Sequence, residues 1–232
     1  PPVNEAWILK QLADAGAQSF IIPMVDTAEQ AEAAVQACLY PPQGIRGAAG
    51  VVRAARYGRI PGYLTKANAE ICVVPQVETL TAVENIEAIC AVEGVDAIFI
   101  GPSDLSASMG FTGRPGAPEV DEVIRSSIAR IHACGKPACT LGFDDATVEK
   151  YLGMGADMVA VGSDVTLLLR GAAEQLIARL SAEDLARIGI FGHDIAVGPT
   201  FTRVPDELLQ ALPEAIAADA QTPLWRALDE AM

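Results

Sequence analysis

Apolar positions in this chain switch repeatedly between a helical and a strand period, and the switches mark out alternating elements. Trp7 to Ala15 has helical spacing and stops at Gly16; the apolar run Gln18-Ser-Phe-Ile-Ile-Pro-Met-Val25 then has strand length. Thr27 stands as the N-cap of a helix over 28–38, which Pro41-Pro42 end. An irregular stretch rich in Gly and Arg, residues 43–59, leads to a short helix over 63–69 and the strand Ile71-Cys-Val-Val-Pro-Gln-Val-Glu78. Thr81 to Val92 reads as a helix and Val95-Asp-Ala-Ile-Phe-Ile-Gly101 as the next strand. After a Gly- and Pro-bearing loop over 110–118 come a helix over 119–134, a strand over 136–141, a helix over 145–154, a strand over 157–162 and a helix over 166–180.

Strands that alternate with helices in this way predict an α/β fold with a parallel sheet covered by helices. We expect a (β/α)8 TIM barrel rather than an open sheet. No GxGxxG follows any strand, which argues against a dinucleotide fold. The pattern holds five clear strands where a closed barrel has eight. Pro1-Pro-Val3 reads as the tail of a further strand, so the expectation is a barrel lacking its first two to three strands in this chain. We assign 1–180 to that N-terminally incomplete barrel domain and 181–232 to a C-terminal helical extension. Within the extension, 187–191 and 195–198 are weak strand candidates, and 206–218 and 223–232 are helical ones.

Two acids change the picture from architecture to chemistry. Glu78 ends one strand, and Asp104 follows the next in Gly101-Pro-Ser-Asp-Leu-Ser106. The helix between them makes a right-handed βαβ unit, so both carboxylates fall at the carboxyl ends of neighbouring parallel strands. Parallel α/β folds assemble their sites at that edge. Taken singly, Glu78 reads equally as a solvated strand end and Asp104 as an N-cap. Taken together they read as oxygen ligands for a divalent cation such as Mg²⁺ or Mn²⁺, because no Lys, Arg or His flanks them. Gln76 lies two positions before Glu78 and so shares its strand face.

Composition narrows the class. With 232 residues and 51% hydrophobic content the chain can bury a sizeable core. A net charge of −14 argues against a nucleic-acid partner and against an anionic membrane surface. No apolar run approaches the roughly 20 residues of a membrane span, and no basic-then-apolar signal segment is present. Cys38, Cys72, Cys90, Cys134 and Cys139 form no CxxC pair and sit in apolar or helical surroundings, which we read as buried free thiols in a reducing cytoplasm.

The remaining candidates are cationic. Arg46, Arg53 and Arg56 cluster in an otherwise acidic protein, where substrate carboxylate binding, an intersubunit contact and surface ion pairs are open readings. The first of these makes Arg46 a catalytic candidate. His132 near a helix end reads as a dipole contact. His193 in Gly192-His-Asp194 reads as a surface-loop residue, with a role as a proton-transfer group the alternative.

Several motifs occur in order: Ile21-Ile-Pro-Met-Val25, Tyr40-Pro-Pro-Gln-Gly-Ile-Arg-Gly47, Ala54-Ala-Arg-Tyr-Gly-Arg59, Gln76-Val-Glu78, Gly101-Pro-Ser-Asp-Leu-Ser106 and Ala160-Val-Gly162. Together they resemble the HpcH/HpaI family of class II pyruvate aldolases over about residues 1–180. The resemblance implies a (β/α)8 barrel, a homo-oligomer, commonly a hexamer, and reversible cleavage of a 4-hydroxy-2-oxo acid to pyruvate and an aldehyde. It implies that Glu78 and Asp104 hold the divalent metal, Mg²⁺ or Mn²⁺ with Co²⁺ or Zn²⁺ as alternatives. Gln76 would bond near the pyruvate carbonyl oxygen as a catalytic and substrate-binding residue. The backbone amides of Ser103 and Asp104 would receive the pyruvate carboxylate. Three departures stand out. Nothing here matches the family's Gly-Glu-His histidine, the family's carboxylate-binding arginine aligns just before Pro1, and position 103 is Ser where Ala is usual. The rival readings are a CoA-ester lyase of the citryl or malyl type, whose barrels share the acid pair, and a non-catalytic barrel remnant.

Overall fold

The computed structural model describes residues 1–162, together with 171, 175, 177–178, 189–191, 195–197 and 204. In chain order the elements of the main unit are α1 (Ala6–Ala15), β1 (Ser19–Ile22), α2 (Ala28–Cys38), α3 (Tyr63–Lys66) with a 3₁₀ turn (Ala67–Glu70), and β2 (Cys72–Val77). They continue as α4 (Leu80–Glu84), α5 (Ile86–Cys90), β3 (Ile98–Ile100), α6 (Pro102–Ser108), α7 (Pro118–Ala133), β4 (Ala138–Leu141), α8 (Asp145–Gly153) and β5 (Met158–Ala160).

Local chemistry explains the boundaries. Gly16 closes α1 in the left-handed region at φ 116°, where its N–H reaches the carbonyls of Leu12 and Ala13. Thr27 and Gln30 form a reciprocal capping box at the start of α2. The helix expected over 81–92 is instead two short helices broken at Asn85. There the side chain donates to the Asp26 carbonyl at 2.8 Å, a bond to a neighbouring loop that competes with a continuous helix.

The five strands run parallel in the order β1-β2-β3-β4-β5. Sequential order with helical crossovers is that of a barrel; a doubly wound sheet would reverse direction part-way. The result is a curled parallel sheet, a half-barrel, and the described residues do not close it into the expected ring of eight. In the second unit β6 (Gly189–Phe191) and β7 (Ile195–Val197) pair antiparallel with each other, at the positions of the two weak strand candidates. The helices expected over 206–218 and 223–232, and most of 166–180, lie outside the described residues.

Side chains alternate across the sheet. Phe20, Ile22, Val73, Val77, Ile98 and Ile100 are buried against the helices, packing with Leu9, Ile86, Ile124 and Ile128. Each such side chain contributes about 1.5–3 kcal/mol when fully buried. The inner face carries Val74, Ala97, Phe99 and Cys139. Because the strand period is two, Gln76 and Glu78 follow Val74 on this inner face, at the C-terminal edge. All five cysteines are free, and burial pushes the Cys38 and Cys90 thiols up to about 12, which leaves them inert. Among the described residues no helix is long and apolar enough to cross a membrane.

Candidate metal and substrate site

Glu78 follows the last residue of β2 and is only 2% exposed. Its Oε1 accepts the Met24 N–H at 2.7 Å and its Oε2 accepts a Gln76 amide N–H at 2.6 Å. Met24 reaches this position from the end of β1 with φ 55°, in the left-handed region that side-chain-bearing residues seldom adopt. Burial pushes the Glu78 carboxyl above its ordinary value, the Met24 N–H opposes this, and the nearby Asp104 and Asp26 carboxylates raise it further. Among the described residues no cation appears among these influences. A carboxylate buried without one is costly, and the arrangement is short of positive charge.

β3 supplies the second wall. It ends at Gly101, where an added Cβ would stand 2.6 Å from Glu78 Oε2 and 3.2 Å from Gln76 Nε2. Only glycine leaves room for the two side chains. Gly101 is also the N-cap of α6, with Pro102 in its first position, so Asp104 sits in the first turn rather than at the cap expected of a lone aspartate. The first bond of this helix runs from Leu105 N–H to Gly101 O at 3.0 Å. The amides of Ser103 and Asp104 precede it and have no intrahelical acceptor. Both residues are exposed at the edge.

A third acid belongs to this edge and escaped the sequence reading. Asp26 accepts the Thr79 hydroxyl, and Thr79 in turn accepts the Ala82 N–H as the N-cap of α4 at 3.0 Å. With the Asn85 bond to the Asp26 carbonyl, this ties the loop after β1 to the loop after β2, beside Glu78. Thr79, a threonine three residues before Ala82 at the start of an apolar run, was a readable cap signal; its partner Asp26 was not.

The structure therefore brings Gln76, Glu78, Ser103 and Asp104 to one edge. It does not bring Arg46 there. Arg46 is 2% exposed, donates from Nη2 to Asp14 Oδ1 at 2.8 Å, and stacks its guanidinium 4.2 Å from the Tyr40 ring centre. Asp14 lies in the last turn of α1, just before β1 begins, so this pair occupies the opposite, N-terminal edge of the sheet. The loop bearing Arg53 and Arg56 is held at that edge too, by Ala54 N–H to Asp14 O at 3.0 Å. His132 pairs with Asp157 at 2.8 Å, and His193 lies outside the described residues.

The donor set fits a hard divalent cation: a buried carboxylate lacking a positive partner among the described residues, a second carboxylate nearby, and an exposed side open to water or substrate oxygens. Among the described residues no cluster of three or more His, Cys, Asp or Glu could hold a metal. A cation here would draw few ligands from the protein, which suits Mg²⁺ or Mn²⁺.

The model of the HpcH/HpaI aldolase/citrate lyase family matches residues 1–171. The chain belongs to this family. A 4-hydroxy-2-oxo-heptane-1,7-dioate aldolase of Salmonella heidelberg is 50% identical over 184 residues, covering 79% of this chain and 70% of the relative. An HpcH/HpaI aldolase/citrate lyase family protein from Burkholderia cenocepacia superposes with a TM-score of 0.70 at 36% identity, over 75% of this chain and 70% of that one. An HpcH/HpaI aldolase from Desulfitobacterium hafniense gives 0.65 at 30% identity, over 79% and 72%. The family is one of aldolases and citrate lyases.

Proposed function

We propose that this chain is a divalent-metal-dependent aldolase that reversibly cleaves a 4-hydroxy-2-oxo acid into pyruvate and an aldehyde. The observation that carries this is the buried Glu78 carboxylate, fixed through both oxygens and with no cation beside it among the described residues, next to Asp104 and the first-turn amides of α6. The names of its relatives as aldolases support the same reading.

Glu78 and Asp104 would hold the ion, with Mg²⁺ or Mn²⁺ favoured by the all-oxygen donors and Co²⁺ or Zn²⁺ as alternatives. Such an ion supplies Lewis-acid polarisation of the keto oxygen and offsets the charge that builds there as the bond breaks. Gln76 gives one amide N–H to Glu78 and keeps the other for the substrate keto oxygen. The amides of Ser103 and Asp104 receive the substrate carboxylate at the start of α6. In cleavage the C3–C4 bond breaks, its electron pair passes to the pyruvate half as an enolate, and the C4 hydroxyl loses its proton as the aldehyde forms. Rebonding a proton at C3 completes pyruvate.

We further propose a homo-oligomer in a reducing compartment, supported by the large apolar side chains of Trp7 and Leu152 on the surface and by the free thiols. Sedimentation showing a stable monomer at micromolar concentration would count against the oligomer.

The activity is tested by the exchange of pyruvate methyl protons with D₂O, which an aldolase of this type catalyses without any aldehyde. Exchange should require added Mg²⁺ or Mn²⁺ and disappear in Glu78→Gln. No exchange at saturating metal and pyruvate would overturn the aldolase reading. Cleavage of a citryl or malyl thioester in its place would put the chain with the CoA-ester lyases.

A further inference from the structure

We infer that the N-terminal edge of the sheet carries a second binding site, one for a monocarboxylate with a short apolar body. Residues 33–69 contain five cations, Arg46, Arg53, Arg56, Arg59 and Lys66, and no acid, in a chain whose net charge is −14. A solvated basic loop would account for the charge alone. Three structural observations give it a shape.

The first is a cavity of about 420 Å³, within the size range of small-molecule sites. Ala17, Ile60 and Ile71 are among its apolar walls, and Arg56, Lys66 and Tyr63 are its donors. Neither Arg56 nor Lys66 forms an ion pair among the described residues.

The second is backbone strain at the cavity wall. Arg56 and Tyr57 are consecutive non-glycine residues in the left-handed region, with φ 47° and 57°. Such a pair persists only where the surroundings hold it, and strain of this kind gathers at ligand-binding and functional positions.

The third is a buried ion pair next to the cavity wall. Arg46 is 2% exposed and gives Nη2 to Asp14, while among the described residues no partner lies within close hydrogen-bond geometry of its Nε and Nη1 or of the Tyr40 hydroxyl, and the Tyr63 hydroxyl is the group that stands nearest both. Tyr63, which lines the cavity, stands beside this guanidinium and packs edge-on to Tyr40 at 6.4 Å. Tyr63 thus links the cavity wall to the buried Arg46–Asp14 ion pair.

Glu70 also lines the cavity, and it decides the class of ligand. Two cations against one acid leave room for a single negative charge, and a multiply charged anion would meet Glu70 at close range. The apolar walls call for a hydrocarbon portion. A short aliphatic monocarboxylate meets both conditions. This site is independent of the aldolase reading, because Glu78 occupies the other edge of the sheet.

The test is calorimetric titration of butyrate into the intact protein, in EDTA at physiological salt, with inorganic phosphate as the comparison. Butyrate should bind saturably, and the exposed double variant R56A/K66A should weaken it by about tenfold or more, the scale of one charge-assisted hydrogen bond. E78Q should bind butyrate as the parent does, and an unchanged melting temperature shows that R56A/K66A is folded. Undiminished binding by R56A/K66A, or equal binding of phosphate and butyrate, would overturn the site. So would an absence of binding. If R56A/K66A also shifts the assembly state in sedimentation while butyrate does not bind, the cavity is covered by a second copy of the chain and the proposal fails.

Discussion

The Met24 backbone N–H donates to Glu78 Oε1 at 2.7 Å across 54 residues of chain, and it does so from a left-handed backbone conformation. A methionine at φ 55° gives up energy to aim that amide, and the amide opposes the upward push that burial gives the Glu78 carboxyl. With Gln76 on the other oxygen, Glu78 is fixed before any ligand arrives. Fixing a ligand group in advance lowers the cost of binding an ion there.

Glu78→Gln should therefore remove divalent-ion binding and leave the fold intact, since glutamine keeps the size and can still accept the Met24 N–H. Calorimetric titration with Mn²⁺ should show a site in the parent and none in the variant. Equal affinity in both would take the ion away from Glu78.

Gly101→Ala tests the same contact by sterics. The new methyl would lie 2.6 Å from Glu78 Oε2 and 3.0 Å from its Cβ. Overpacking of this kind costs about 1–3 kcal/mol. The melting temperature should fall, and Mn²⁺ affinity should fall with it as Glu78 and Gln76 are displaced. Gly153→Ala, where nothing lies within 4 Å, is the control and should be close to neutral. A silent Gly101→Ala would mean that the edge is looser than these distances.

Much of this was legible in the sequence. The βαβ unit that presents Glu78 and Asp104 follows from periodicity alone, and parallel pairing of β2 with β3 places the two acids on neighbouring strands as expected. What was not legible depended on contacts distant in sequence. Nothing in the run around Asp26 says that it meets Thr79, 53 residues away, nor that Met24 bends to reach Glu78. Arg46 shows the converse. Its place among other cations left substrate binding, an intersubunit contact and an ion pair open, and the loop after α2 returns to the opposite edge, where Asp14 accepts from it. A charge pattern shows which residues want partners, and only the chain path shows which partner each one meets.

Asp14→Asn should separate the two edges. It removes the only partner of the Arg46 guanidinium among the described ion pairs and leaves that charge buried, a loss of about 3–5 kcal/mol where a buried pair is broken. Chemical denaturation should show the drop. Mn²⁺ affinity of the folded fraction should be unchanged. A selective loss of Mn²⁺ binding without loss of stability would place Arg46 in the site after all.

Acid titration of the Glu87–Arg130 pair gives a prediction with a definite sign. Arg130 on α7 grips Glu87 on α5 through Nε at 2.7 Å and Nη2 at 2.5 Å, and donates from Nη1 to the Val83 carbonyl at 2.7 Å. The guanidinium holds the Glu87 carboxyl at about 2, below the usual 4.5. A depressed acid binds fewer protons folded than unfolded in the window between these values. Its stabilisation is thus complete above pH 4.5 and is lost as pH falls toward about 2. The side chains are 33% and 56% exposed, so solvent screening reduces the contribution to about 0.5–1 kcal/mol, well under what the shift alone would imply. Glu87→Gln should be less stable than the parent by that amount at neutral pH, and the gap should close as the solution is acidified through this window. Added salt should narrow the neutral-pH gap as well. A gap that stayed constant with pH and salt would show that Glu87 joins α5 to α7 by packing and not by charge.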